Sequence, residues 1–278
     1  MRSLETARSF LFAPGNDARK LARALESGAD AIVCDLEDAV PAAEKDAGRA
    51  LTLDVLAAAD GATTLRLVRV NGAGTPWIAD DVAALAGVEL DAVVLPKATP
   101  ATVETVAPLG VPVVAIAETA GGIRQAYELA ASPPVVALLL GAVDLSLDLG
   151  LEPRGDALEI LFARSSLVVD STAAGLRGPI DRVWTALDDE RGLAEDCAFG
   201  RSLGFRGKAC IHPAQVDTVN EAYSPSAAEL EQARRLVAAY EAGAGDGRGA
   251  IRHEGEMIDL PVVERARQLL AETKERGG

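Results

Sequence analysis

Two carboxylates stand where an apolar run gives out: Glu118 in VVAIAETAGGI and Asp144 in VVALLLGAVDL. An unpaired charge is costly beside buried apolar residues, so each must either cap a helix or serve chemistry. Taken singly, an acidic residue in such a place is commonly an N-cap. At the ends of two consecutive strands they would share one rim, where they repel unless a proton or a cation lies between them. A divalent, oxygen-seeking cation answers that need. Mg2+ characteristically takes one or two carboxylates and leaves its other positions to water and substrate oxygens.

Other polar residues close the remaining apolar runs. Asp35, Glu37 and Asp38 end AIVCDLED, Arg69 and Asn71 end RLVRVN, Lys97 ends AVVLPK, and Lys208 and His212 stand in GKACIH. The planar fork of Arg69 suits a carboxylate or a developing oxyanion. Arg69 and Lys97 could equally be structural ion pairs with Asp35 or Glu37. Arg19, Lys20 and Arg23 form a basic turn in DARKLARA, either a solvated helix face or a means of holding an anion at the rim. The threonine and glycine pair after Glu118 would leave room for a substrate and expose backbone N–H groups at a helix start, where a carboxylate can bind. No GxxxxGK[ST] or GxGxxG phosphate loop is present, and Cys210 and Ser146 lie in no recognisable nucleophile motif.

These residues need a frame that brings strand ends together. Apolar runs at 9–14, 31–37, 63–71, 92–97, 111–118, 135–145, 178–184 and 205–212 alternate with segments of helical period, the pattern of parallel strands joined by crossover helices. Eight such units predict a closed (β/α)8 TIM barrel, with an open doubly wound sheet as the alternative. Barrel enzymes carry their chemistry at the C-terminal ends of the strands, where these polar residues fall. A further helix is expected in PSAAELEQARRLVAAYEA. The Gly-rich patch at 243–249 then reads as a linker, which divides a catalytic barrel at 1–242 from a C-terminal helical arm at 243–278 that folds back or packs on a neighbouring subunit.

The chain has 278 residues, of which 49% are hydrophobic and 25% charged, enough to bury one large core. A net charge of −15 argues against sequence-independent nucleic-acid binding. Apolar runs are too short to span a membrane and no secretory leader is legible, so a soluble cytoplasmic protein is expected. Three scattered cysteines suggest neither a disulfide framework nor a zinc site.

Taken in order, RSFLFAPGN, DAIVCDLEDAVPAAEKDAGR, RVNG, VVLPKA, IAETAGGI, GAVDLSLDLG, GFRGKACIHPAQV, AYSPS and GEMIDLP resemble the citrate lyase β-subunit-like CoA-ester lyases of the HpcH/HpaI aldolase group, over residues 8 to 271. The resemblance implies a lyase that uses Mg2+, with Mn2+ able to substitute, to make or break a carbon–carbon bond between an acyl-CoA and a 2-oxo acid. (Citra)malyl-CoA is the kind of substrate it implies. Glu118 and Asp144 then look like the metal ligands, and Arg69 like the arginine facing the reacting oxygens. Asp35, Glu37 and Asp38 match an acidic cluster on the active-site floor, with Glu37 orienting Arg69 or a metal-bound water. Phe12, Pro14, Arg19 and Lys20 match the stretch that lies against CoA, and Asn71 and Lys97, in the shared RVNG and LPKA motifs, are expected with Asp35, Asp38 and Arg69 to contact the substrate or CoA. Asp259 matches an aspartate that enters an adjacent subunit's site in a homotrimer, a candidate for proton transfer. One departure is Val143, where many relatives carry a glutamate. Two further readings are a divalent-metal aldolase or thioesterase on related substrates, and a non-catalytic acyl-CoA-binding subunit.

Overall fold

In the computed structural model, residues 3–58, 63–244, 250–253 and 255–277 are described. Eight parallel strands close a barrel in chain order: β1 (Ser9–Pro14), β2 (Ala31–Asp35), β3 (Leu65–Arg69), β4 (Ala92–Leu95), β5 (Val113–Ala117), β6 (Val135–Leu140), β7 (Ile180–Asp181) and β8 (Gly207–Cys210). The crossovers carry α1 (Ala18–Leu25), α2 (Lys45–Ala58), α3 (Ile78–Leu85), α4 (Pro100–Val106), α5 (Ala120–Arg124), α6 (Ala126–Ala130), α7 (Ala142–Leu149), α8 (Leu161–Ala173) and α9 (Glu190–Leu203). After β8 comes α10 (Val216–Ala222). This is the TIM-barrel fold, and the open sheet is excluded. None of the helices among the described residues is long and apolar enough to cross a membrane.

The two-residue period of a strand sorts side chains between two cores. Phe10, Val33, Leu67, Val94, Ile116 and Leu139 form the cluster inside the barrel. Their neighbours Leu11, Cys34, Val68, Leu95, Ala115 and Leu140 pack beneath the helices. Continuing the inward series by two residues reaches Phe12, Asp35, Arg69 and Glu118. The alternation that fills the barrel therefore aims these side chains into its mouth.

Most strands are shorter than the apolar runs that encode them. The run at 135–145 ends as a strand at Leu140, and Asp144 lies in the first turn of α7 rather than in the strand. An acidic side chain favours that turn because the N–H groups at a helix start carry partial positive charge. At 178–184 only Ile180 and Asp181 are strand, and β6 meets β7 through the single register pair Leu139↔Ile180.

Side chains reinforce this thin seam. Lys208 on β8, which the sequence places among the rim residues, instead faces the helices and is fully buried. Its ammonium lies 2.5 Å from Asp196 of α9 and 3.6 Å from Asp181 of β7. Arg164 of α8 also bonds Asp181 and lies 3.3 Å from Asp196, and Arg182 reaches Asp196 at 2.8 Å. The Phe199 and Phe205 rings flank the Arg164 guanidinium at 5.0 and 5.7 Å. Three cations thus share two carboxylates, and opposing charges from Lys208, Arg182 and Arg164 hold the Asp196 carboxyl below its ordinary range although burial pushes it the other way.

The chain divides into two compact units, Arg2–Tyr223 and Ser224–Gly278. The second contains α11 (Ala227–Ala244), β9 (Ala250–His253), β10 (Glu256–Asp259) and α12 (Leu260–Gly277). Its division from the barrel falls ahead of the 242/243 boundary drawn from the sequence, because α11 packs with α12 and β9. The linker residues 245–249 lie outside the described residues. The segment is also not purely helical: β9 and β10 pair antiparallel, joined through Gly255 at φ 91°.

The buried charges give an ordering that can be measured. Asp196→Asn leaves three cations facing one carboxylate and should cost about 3–5 kcal/mol in urea unfolding. Lys208→Met leaves two against two and should cost less. The reverse order would mean that the cluster is not held by charge balance.

Candidate active site

A cavity of about 440 Å3 opens at the C-terminal ends of the strands, and its charged lining is Asp35, Asp38, Arg69, Glu118 and Asp144. Arg69 anchors it. Its Nε donates to Asp35 Oδ1 at 2.7 Å and its Nη2 to Asp35 Oδ2 at 2.6 Å, the two-pronged geometry that a planar guanidinium favours. Nη1 lies 3.0 Å from Glu37 Oε2 and 3.8 Å from Asp38, and the Phe12 ring lies 5.3 Å from the guanidinium. These carboxylates hold Arg69 well above its ordinary pKa against the effect of burial. Asp35 meanwhile accepts the Glu37 N–H at 2.9 Å and the Ala39 N–H at 3.3 Å. Arg69 is therefore both an ion pair and a cavity wall, with Nη1 turned toward the acidic loop.

Lys97 gathers the second group. Its Nζ donates to Glu37 Oε1 at 3.0 Å and stands 3.9 Å from Glu118 Oε1 and 3.7 Å from Asp144 Oδ1. The expected repulsion between the two rim carboxylates is thus real, and one ammonium stands near both. Burial opposes the charge on Lys97, but the bond to Glu37 and the fields of all three carboxylates outweigh it and raise its pKa. The backbone of Lys97 is left-handed, at φ 49°, a conformation that costs a non-glycine residue roughly 1 kcal/mol. It directs the Lys97 N–H onto Glu118 Oε1 at 2.7 Å.

Glu118 is 2% exposed. Burial first, then the charges of Glu37 and Asp144, push its carboxyl up to about 7, although the Lys97 N–H and ammonium act the other way. Burial likewise raises Glu37 against the pull of Arg69 and Lys97. Gly141 follows β6, and a Cβ there would collide with the Glu118 side chain, so glycine keeps Glu118 and the first turn of α7 in close approach. The carboxylate of Asp144 is 35% exposed. Among the described residues no group of three or more His, Cys, Asp or Glu is arranged around a metal position. A two-carboxylate site fits the donor habit of Mg2+, which keeps several waters.

Several expected contacts fall elsewhere. Asn71 is buried and turns its amide onto Asp81 of α3 at 2.7 Å, and Asp81 also accepts from Arg49 at 3.0 Å. It is absent from the cavity lining. Phe12 and Pro14 do line the cavity, whereas Arg19 and Lys20 are exposed on α1, with Lys20 3.6 Å from Asp17. Two of the N–H groups after Glu118 are already used: Ala120 donates to Asp148 at 2.7 Å and Gly122 to the Thr119 hydroxyl at 2.9 Å. His212 is an exposed cap, its Nδ1 accepting from the Ala214 N–H at 3.2 Å. Asp259 lies in the second unit, where its Oδ1 accepts from Val262 N–H at 3.4 Å at the start of α12.

Sequence reasoning missed Lys45. Its buried ammonium donates to the carbonyls of Leu36 and Glu37 at 2.6 and 2.7 Å and sits 4.9 Å from the Trp77 ring centre, pinning the loop that carries Glu37 and Asp38. Its spacing from DLED within DLEDAVPAAEK was the available signal.

Because folding raises the Glu118 pKa, the folded state holds that proton more tightly than the unfolded chain. Its contribution is greatest below the ordinary 4.5 and is lost as pH rises toward about 7. Metal-free protein should lose up to about 1.4 kcal/mol of unfolding free energy per pH unit across that window, and Glu118→Gln should flatten the slope. An unchanged slope in Glu118→Gln would assign the titration to another group.

The family model described as HpcH/HpaI aldolase/citrate lyase matches residues 8–213, and one described as a C–C bond lyase of the TIM-barrel fold matches residues 161–273. A (3S)-malyl-CoA thioesterase of Cereibacter sphaeroides is 41% identical over 270 residues, covering 96% of this chain and 94% of that protein. The citrate lyase subunit beta of Leuconostoc mesenteroides is 34% identical over 285 residues, covering 97% and 94%. The crystal structure of CitE from Mycobacterium tuberculosis with magnesium, acetoacetate and coenzyme A superposes with TM-score 0.84 at 35% identity, covering 98% of this chain and all of that one.

Proposed function

The chain belongs to the HpcH/HpaI aldolase/citrate lyase family and is a carbon–carbon lyase, and from that premise we propose that it uses Mg2+ to join or part an acyl-CoA and a 2-oxo acid, with (citra)malyl-CoA as the substrate type. The observation that carries this is the pairing of two carboxylates, Glu118 and Asp144, with the anchored guanidinium of Arg69 at one cavity. The CitE structure with magnesium and coenzyme A supports it.

Glu118 and Asp144 would hold the ion, which when bound polarises the oxygens of the 2-oxo acid as a Lewis acid. In the cleavage direction the substrate hydroxyl gives its proton to water in the cavity, the carbon–carbon bond breaks as the carbonyl of the 2-oxo acid forms, and the bonding electron pair passes to the thioester fragment as an enolate. Protonation of that fragment's carbon completes the balance and releases acyl-CoA and the 2-oxo acid. Arg69 faces the charge that develops on the thioester oxygen. Because Asp35 has already fixed the guanidinium, little reorganisation is needed at that moment. Glu37 orients Arg69 Nη1 and the Lys97 ammonium. Phe12 and Pro14 form the wall beside the β1 end that the acyl-CoA passes. Asp259, from the second unit of a neighbouring copy in a homotrimer, is the proposed proton donor to the enolate carbon.

A second reading is hydrolysis of the thioester of the same substrates, favoured by the 41% identical relative's being a (3S)-malyl-CoA thioesterase. Water would then attack the thioester carbonyl, and free CoA would leave with the hydroxy acid intact. Mass spectrometry after incubation with Mg2+ and malyl-, citramalyl- and 3-hydroxy-3-methylglutaryl-CoA separates the two. Acetyl-CoA appearing with a 2-oxo acid identifies the lyase, whereas free CoA with an unbroken hydroxy acid identifies the thioesterase. Arg69→Lys should lower kcat by roughly 100-fold, and Glu118→Ala or Asp144→Ala should abolish Mg2+-dependent turnover. Mixing Asp259→Asn with Glu118→Gln protein should restore activity if Asp259 acts across subunits, and leave it absent if it acts within its own chain.

A further inference from the structure

The cavity is divided by polarity. All of its charged side chains stand on β2, on β3, or just beyond β2, β5 and β6. Its wall from the β7 and β8 ends is apolar, made by Val183, Ala209 and Ile211, and Ile116 of β5 and Leu139 of β6 also line the cavity. Lys208 and Arg182, the cations nearest this wall in sequence, are spent on Asp196.

The wall is also fixed in place. Gln215 is 4% exposed; its Nε2 donates to the Trp184 carbonyl at 2.8 Å and its Oε1 accepts the Ile211 N–H at 2.9 Å. One amide thereby clamps the two segments that carry Val183 and Ile211. Arg182 adds a contact at 5.5 Å over the Trp184 ring.

Resting on the reading of a 2-oxo acid substrate, we infer that this clamped wall reads the third substituent on the acid's carbonyl carbon, accepting a short alkyl group and rejecting a second carboxylate. The carboxylate and carbonyl oxygens of the acid belong on the charged side, with Arg69, Glu118 and Asp144. The remaining substituent points away from them, onto Val183 and Ile211. An alkyl group there leaves water for an apolar surface. A carboxylate there meets no cation among the described residues of the wall and faces a cavity already rich in negative charge, so its desolvation goes uncompensated. The substrate class is thus a 2-oxo acid with a methyl or ethyl group on its carbonyl carbon, in preference to oxaloacetate or to glyoxylate.

The test measures two things on the intact protein: calorimetric binding of pyruvate, 2-oxobutyrate, glyoxylate and oxaloacetate with Mg2+ present, and kcat/KM for condensation of each acid with acetyl-CoA. Pyruvate and 2-oxobutyrate should exceed glyoxylate by roughly tenfold, the discrimination that one methylene allows, and oxaloacetate should bind more weakly than pyruvate. Ile211 is 40% exposed, so Ile211→Arg can place a cation at the wall without burying it, and should shift the preference toward oxaloacetate by tenfold or more. Ile211→Ala should reduce the preference for alkyl acids without favouring oxaloacetate. Oxaloacetate binding as tightly as pyruvate, or unchanged ratios in both variants, would overturn the assignment. Absence of turnover with every acid, while the binding preference and its response to Ile211→Arg persist, would overturn the lyase reading and leave this wall assigned.

Discussion

The Arg69–Asp35 pair is the contact on which the mouth of the barrel depends. Asp35 and Arg69 are register partners on adjacent strands, so the pair is set by the sheet itself rather than by a mobile loop. Asp35 then organises the backbone beyond β2 through the N–H groups of Glu37 and Ala39, and Lys45 holds the same turn from behind. Glu37 is thereby delivered to both Arg69 and Lys97. Loss of the guanidinium would leave the two buried carboxylates of Asp35 and Glu37 facing each other, with the exposed Asp38 beside them.

The second consequence is a local shortage of positive charge. Lys97 lies near Glu37, Glu118 and Asp144 but hydrogen-bonds only Glu37 through its ammonium. Glu118 is left with a backbone N–H and a distant cation, which is why burial prevails and lifts its pKa. A site in this condition gains from a divalent ion in both its electrostatic energy and its protonation state. The left-handed backbone at Lys97 belongs to the same arrangement, since it aims the N–H and the side chain at that group of carboxylates together.

Strand period made much of this legible. Glu118, Arg69 and Asp35 fall two residues beyond inward apolar positions, so their placement at the mouth follows from alternation alone. Asp144 was legible as a rim residue but not as part of α7, because an apolar run does not reveal where a strand yields to a helix. Lys208 shows the limit of reading by position in a run: it falls on the outward phase of β8, opposite to Ala209, and phase decides between mouth and helix layer. Asn71 was misplaced because its partner Asp81 lies on a helix that only the folded chain brings near. The hairpin of β9 and β10 was hidden by its brevity, although AIRH and EMID flank a glycine turn. The family resemblance named the chemistry, which no period could supply.

The two-residue strand β7 is the weakest link in the hydrogen-bonded ring, joined to β6 by one register pair. Its position is secured from outside by the ions of Arg164, Asp181, Asp196 and Lys208, and above by the Gln215 amide. None of these contacts runs through the Arg69–Asp35 pair or the Glu118 and Asp144 carboxylates. The two sides of the barrel mouth are therefore braced separately, so that side chains at positions 183 and 211 can be exchanged without loosening the contacts that hold Arg69, Asp35 and Glu118.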